Sequence, residues 1–135
     1  MVYRRRTMAL LRNPRFQRTM RLLFWVALII AVVMAVLPEP PTLAIDSLGD
    51  KFEHMFAFST LAALAAFGFP AANRWCIAER LSFLGALIEV TQSIPALHRD
   101  CDIRDWMADT VSIVLVTAIM GLLLPWLRRD DIEAE

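Results

Sequence analysis

Between Gly49 and Phe58 the chain reads GDKFEHMFAF, which sets Asp50, Lys51 (the single lysine), Glu53 and His54 at the threshold of an apolar run. Farther along, Glu89 and Gln92 interrupt a second apolar run, and Asp102, Asp105 and Asp109 open a third. Acids, a cation and an imidazole in apolar surroundings can transfer protons, hold a metal or grip a charged headgroup. Each is costly to bury without a partner. Helix spacing groups them. Lys51 and His54 are three apart and share a face, as do Glu89 and Gln92, with Ser82 and Gly85 continuing that stripe inward. Asp102, Asp105 and Asp109 follow i, i+3, i+7 and form one acidic face.

Part of this set has an ordinary explanation. Asp50 followed by Glu53 has capping-box spacing, and Asp102 followed by Asp105 suits the first turn of a helix. Capping does not account for Lys51, His54, Glu89 or Asp109. Glu89 lies five residues before the Ile94–Pro95 boundary, about 8 Å inside its helix end. An intramembrane acid at that depth is a functional candidate. Lys51 and Arg99 oppose Glu89, Asp102, Asp105 and Asp109, an excess of two acids. Bound protons, a divalent cation or a cationic ligand group would each relieve it. His54, Glu89, Asp105 and Asp109 form a hard N/O donor set for such a cation, although no recognised metal spacing, nucleophile elbow, phosphate loop or HExxH pattern is present.

The elements that must position these groups are read from composition and punctuation. At 135 residues the chain suits one domain, but 58% hydrophobic residues and a mean hydropathy of +0.52 exceed the globular norm. A soluble fold of this size would expose a large apolar surface, which points to a membrane protein. Four apolar segments run Arg21–Leu37, Met55–Phe69, Ile77–Ile94 and Trp106–Leu127, each bounded by Pro, Gly or charge. They predict an all-α fold, a four-helix transmembrane bundle with helices over about 21–37, 52–69, 77–95 and 104–127. Residues 1–21 form a basic arm, 22–127 the membrane domain and 128–135 a tail. The first and last segments are long enough to span alone, whereas the middle two need their polar ends. The third carries Glu79, Arg80, Glu89 and Gln92, so it is expected inside the bundle with its polar face shielded from lipid.

With four spans, Arg4, Arg5, Arg6, Arg12, Arg15, Arg18, Arg21, Arg74, Arg80, Arg128 and Arg129 fall on one side, and Lys51, Arg99 and Arg104 on the other. The positive-inside rule then puts both termini in the cytoplasm. The basic arm suits anionic lipid headgroups, and the apolar run from Leu22 argues against nucleic acid as its partner. That run is longer than a signal-peptide core and no small-residue cleavage site follows it, so it is expected to remain as a span. Cys76 and Cys101 bracket one span, and the resulting separation excludes a disulfide between them.

In this order the polar motifs resemble the VanZ-like family of small bacterial membrane proteins, named for a teicoplanin-resistance determinant. That family has a D-K-x-x-H entry to one helix, E-x-x-Q at the end of the next, a loop with Pro and Arg, and a D-x-x-D start to the last helix. Here they read DKFEH (Asp50–His54), EVTQ (Glu89–Gln92), PALHR (Pro95–Arg99) and DIRD (Asp102–Asp105). The resemblance covers roughly Asp50 to Gly121. Where the family has an Asn followed three residues later by Gly, this chain has Asp109 and Ser112, and the loop lacks the usual small residue before its Arg. The resemblance implies a multi-pass protein of the bacterial cytoplasmic membrane that lowers susceptibility to lipoglycopeptide antibiotics by engaging a lipid or lipid-linked wall precursor at the outer leaflet. It carries over Lys51, His54, Glu89, Gln92, Arg99, Asp102 and Asp105 as the site, with Asp109 as a variant position. The alternative is a small membrane-embedded transferase or hydrolase on lipid-linked substrates. In it Glu89 or His54 acts as general base and the Asp face holds a metal. The lack of a nucleophile or metal motif favours binding over catalysis.

Overall fold

The computed structural model describes residues 11–38, 49–97 and 102–129, of which 50, 51 and 126–129 are described by backbone alone. These residues form four long α-helices and no strand. Helix α1 spans Pro14–Val36, α2 Asp50–Gly68, α3 Arg74–Gln92 and α4 Ile103–Arg129, with a single 3₁₀ turn at Pro95–Leu97 before α4.

Local chemistry sets the ends. Asn13 caps α1, its Oδ1 accepting from the Arg15 amide at 2.9 Å, and Pro14 takes the first helical position. The helix therefore starts seven residues before the expected 21, and the last part of the basic arm is its first two turns. Asn73 caps α3 in the same way, accepting from the Trp75 amide at 3.0 Å, so this helix runs Arg74–Gln92 rather than 77–95. Pro95 cannot continue it. At α2 the capping-box expectation fails. Asp50 is already the first helical residue, and the cap position is Gly49 at φ 98°, which has no side chain to offer the helix. A positive φ of this size suits Gly because it has no β-carbon. Pro125 lies inside α4, where it removes the donor that the Gly121 carbonyl would otherwise receive.

Packing pairs α1 with α2, α2 with α4, and α4 with α3; α1–α3 and α2–α3 contacts are fewer. Arg21 Nε donates to the Gly68 carbonyl at 2.6 Å, joining the early part of α1 to the end of α2. Gln92 Nε2 donates to the Ala35 carbonyl at 3.0 Å, joining the last turns of α1 and α3. These ties make α1 antiparallel to α2 and parallel to α3. The core lies along the shared axis, where Phe58, Leu61, Ala65, Leu81, Ile88 and Ile113 are buried.

Two helices, α1 (Pro14–Val36) and α4 over Ile103–Pro125, are long and apolar enough to cross a membrane, and α2 adds a shorter apolar stretch, Phe52–Gly68. Neither is a core helix: 11% of the apolar window is buried in the first and 22% in the second. Large apolar side chains cover the exterior, among them Ile29, Leu122, Phe56, Phe83 and Val90, while Glu89, Gln92, Asp109, Ser112 and Thr117 are buried. This distribution inverts that of a water-soluble domain. Helix α3 is not enclosed as expected. It buries Glu89 and Gln92, but Phe83, Leu87 and Val90 face outward, so it has one inner polar face and one outer apolar face.

Candidate functional site

The polar residues converge at the end of the molecule where α2 and α4 begin and α3 finishes. His54, in the second turn of α2, faces Asp109 of α4 with Nδ1 and Oδ2 3.5 Å apart. Their side chains are 10% and 1% exposed, so the pair is almost fully removed from the exterior. Ser112, one turn beyond Asp109, is also buried. Its hydroxyl donates to the Asp109 carbonyl at 2.8 Å and lies 3.5 Å from the Met55 carbonyl across the α2–α4 seam. The small side chain of Ser112 lets the two backbones approach.

Glu89 makes the second contact. It is buried, and its Oε2 accepts from the backbone N–H of Asp102 at 3.1 Å. Asp102 in turn accepts from the Arg104 amide through Oδ1 at 2.9 Å. Asp102 is therefore the cap of α4. Glu89 fills from a neighbouring helix the role that the fourth residue of a capping box ordinarily fills. Both carboxylates sit at the N-terminal end of α4, where the backbone N–H groups point outward. Asp105 is half-buried in the first turn of the same helix.

Beneath these groups lies an aromatic layer. Phe58 and Trp106 approach Gly85, where an added β-carbon would stand 3.4 Å and 3.5 Å from their rings. One helical turn outward from these three residues come His54, Asp102 and Glu89. Trp106 Nε1 donates to the Ser82 carbonyl at 3.0 Å, and the Ser82 and Thr110 hydroxyls are 2.7 Å apart, so α3 and α4 are pinned just below the polar layer.

Several sequence expectations change. The stripe Asp102–Asp105–Asp109 does not act as one face: Asp109 meets α2, while Asp102 contributes its backbone to α3 and its carboxylate to its own helix. Gln92 does not join Glu89 but turns to the α1 backbone, where it is a structural tie. His54, Glu89, Asp105 and Asp109 do not gather into a donor set, since no group of three or more metal-binding side chains occurs among the described residues. Lys51 is in the first turn of α2 with its side chain outside the described residues, and Arg99 and Cys101 lie outside them entirely. Cys76 is exposed at the start of α3. Trp106 and Thr110 were missed from the sequence, although their i, i+4 spacing from Asp102 and each other marks a second polar face of α4.

No family model, curated protein or solved structure matches the chain.

Proposed function

We propose that the chain is a VanZ-like integral protein of the bacterial cytoplasmic membrane, a four-helix bundle with both termini in the cytoplasm. It binds or modulates a lipid or lipid-linked envelope precursor at the polar end where α2 and α4 begin. Lowered glycopeptide susceptibility is the cellular outcome. The observation that supports this reading is the combination of an apolar exterior with Glu89 and the His54–Asp109 pair buried, above an aromatic layer, at the end where α2 and α4 begin. Acids in such a place favour a headgroup bearing hydroxyl or ammonium donors. Lys51 and Arg99 enter through the sequence resemblance as the groups that hold a phosphate or carboxylate.

The second reading, a membrane-embedded transferase or hydrolase, draws on the His54–Asp109 pair. A carboxylate facing Nδ1 at 3.5 Å would, on closing to a hydrogen bond, favour the tautomer whose Nε2 accepts a proton, the arrangement a general base requires. Native mass spectrometry of the protein purified with its lipids, beside teicoplanin susceptibility of cells carrying each form, tests the first reading. Glu89→Gln and His54→Ala should each deplete one co-purifying headgroup class and raise susceptibility. Unchanged lipids and unchanged susceptibility in both folded variants would sink it, and conversion of a lipid-linked substrate in vitro would favour the enzyme.

A further inference from the structure

At the opposite end of the molecule α2, α3 and α4 leave a cleft of about 100 Å³. Its walls are mostly apolar, with Ala62, Ala65 and Ala66 from α2, Ile77 from α3 and Leu124 from α4, and Thr117 of α4 also lines it. Arg74, the first residue of α3, also lines it and is exposed. The guanidinium lies so close to Gly121 of α4 that a β-carbon there would collide with it. Phe69 forms another part of the wall, and the Arg21 guanidinium stands 5.5 Å from its ring centroid. Among the described residues neither Arg21 nor Arg74 is ion-paired to a carboxylate, and Glu79, the acid on this end of α3, is exposed.

The Arg74 guanidinium thus borders a slot with mostly apolar walls, and the Arg21 guanidinium packs on Phe69, one of the residues that line it. We propose that this cleft binds an anionic phospholipid of the leaflet at the arginine-rich end. Its phosphate is held by Arg74 at the mouth, and an acyl chain lies along the wall that Ala62, Ala65 and Ala66 form. The inference rests on the membrane reading above and concerns a site separate from the His54–Asp109 end. Guanidinium forks match phosphate geometry and keep their charge at any relevant pH. A gap between helices lined by small side chains forfeits dispersion contacts until a flexible tail fills it. A second copy of the chain fits poorly, because it would bring its own Arg15, Arg18, Arg21 and Arg80 against like charge.

The test uses the full chain in neutral detergent micelles, titrated with phosphatidylglycerol or with phosphatidylcholine of the same acyl composition, and read by native mass spectrometry. Phosphatidylglycerol should bind about tenfold more tightly than phosphatidylcholine. Arg74→Gln should remove that preference. Gly121→Ala, which keeps every charge but displaces the guanidinium, should weaken it severalfold, and Ala66→Phe should fill the slot and lower affinity for both lipids. Equal binding of the two lipids by the wild-type chain would overturn the proposal. So would a phosphatidylglycerol preference that survives both Arg74→Gln and Gly121→Ala, or displacement of the lipid by inorganic phosphate at equal concentration. Release of the chain from membranes by alkaline carbonate would instead overturn the membrane reading itself. A carbonate-resistant chain without lipid preference defeats only the cleft.

Discussion

His54 and Asp109 are the residues at which burial and charge conflict most directly. Asp109 is 1% exposed, and His54 supplies a facing nitrogen at 3.5 Å. Removing one member of such a buried pair leaves the other in a poor environment, typically at a cost of several kcal/mol. His54→Ala should therefore lower stability by about 3 kcal/mol in SDS-induced unfolding from mixed micelles. Adding Asp109→Asn to that variant removes the stranded charge and should restore more than half of the loss. Simple additivity of the two single-variant effects would show that the residues are uncoupled. Asn has nearly the same shape as Asp, so the amide should fit the site sterically.

At the scale of elements, the start of α4 is secured from two helices. Asp102 caps the Arg104 amide, and Glu89 from α3 accepts the amide of Asp102 itself. Asp102→Ala should cost about 1 kcal/mol and increase hydrogen exchange at the amides of residues 103–106. Glu89→Gln keeps an acceptor oxygen in place, so it should leave that protection nearly intact while abolishing the charge. This pair of outcomes separates the structural work of Glu89 from its proposed work on a headgroup. Protection unchanged by Asp102→Ala would mean that packing of Trp106 and Thr110 against Ser82, rather than the cap, holds the end of the helix.

Over the whole molecule, an apolar exterior surrounds a largely apolar core, with Glu89, Gln92 and Asp109 buried toward the end where α2 and α4 begin and the Arg21 and Arg74 guanidinium groups at the other. Trp75, exposed beside Arg74, suits the headgroup level of a bilayer. The topology proposed here makes Cys76 a usable probe, because it is exposed at the arginine-rich end. In a Cys101→Ser background, a membrane-impermeant maleimide should label Cys76 in inverted vesicles and not in intact spheroplasts. Labelling in the intact preparation would reverse the assigned orientation.

Much of the architecture was legible without coordinates. Four helices, the spanning length of the first and last, and the burial of Glu89 follow from apolar run length, Pro and Gly punctuation and 3.6-residue spacing, which act along the chain. The Asn13 and Asn73 caps are equally local signals and mark the starts of α1 and α3. Helix pairing was not legible. Nothing in the spacing of Glu89 and Gln92 says that one meets α4 and the other α1, nor that Asp109 turns to His54 while Asp102 caps its own helix. Those choices depend on how each helix is rotated about its axis and which neighbour it meets. That outcome is decided by many small packing contacts and by close approaches such as Gly85 against Phe58 and Trp106. The residues able to do chemistry were thus determined by the sequence. Which of them meet, and the guanidinium-lined cleft at the far end, were decided by the tertiary structure, because contacts between distant segments exist only once the helices have packed.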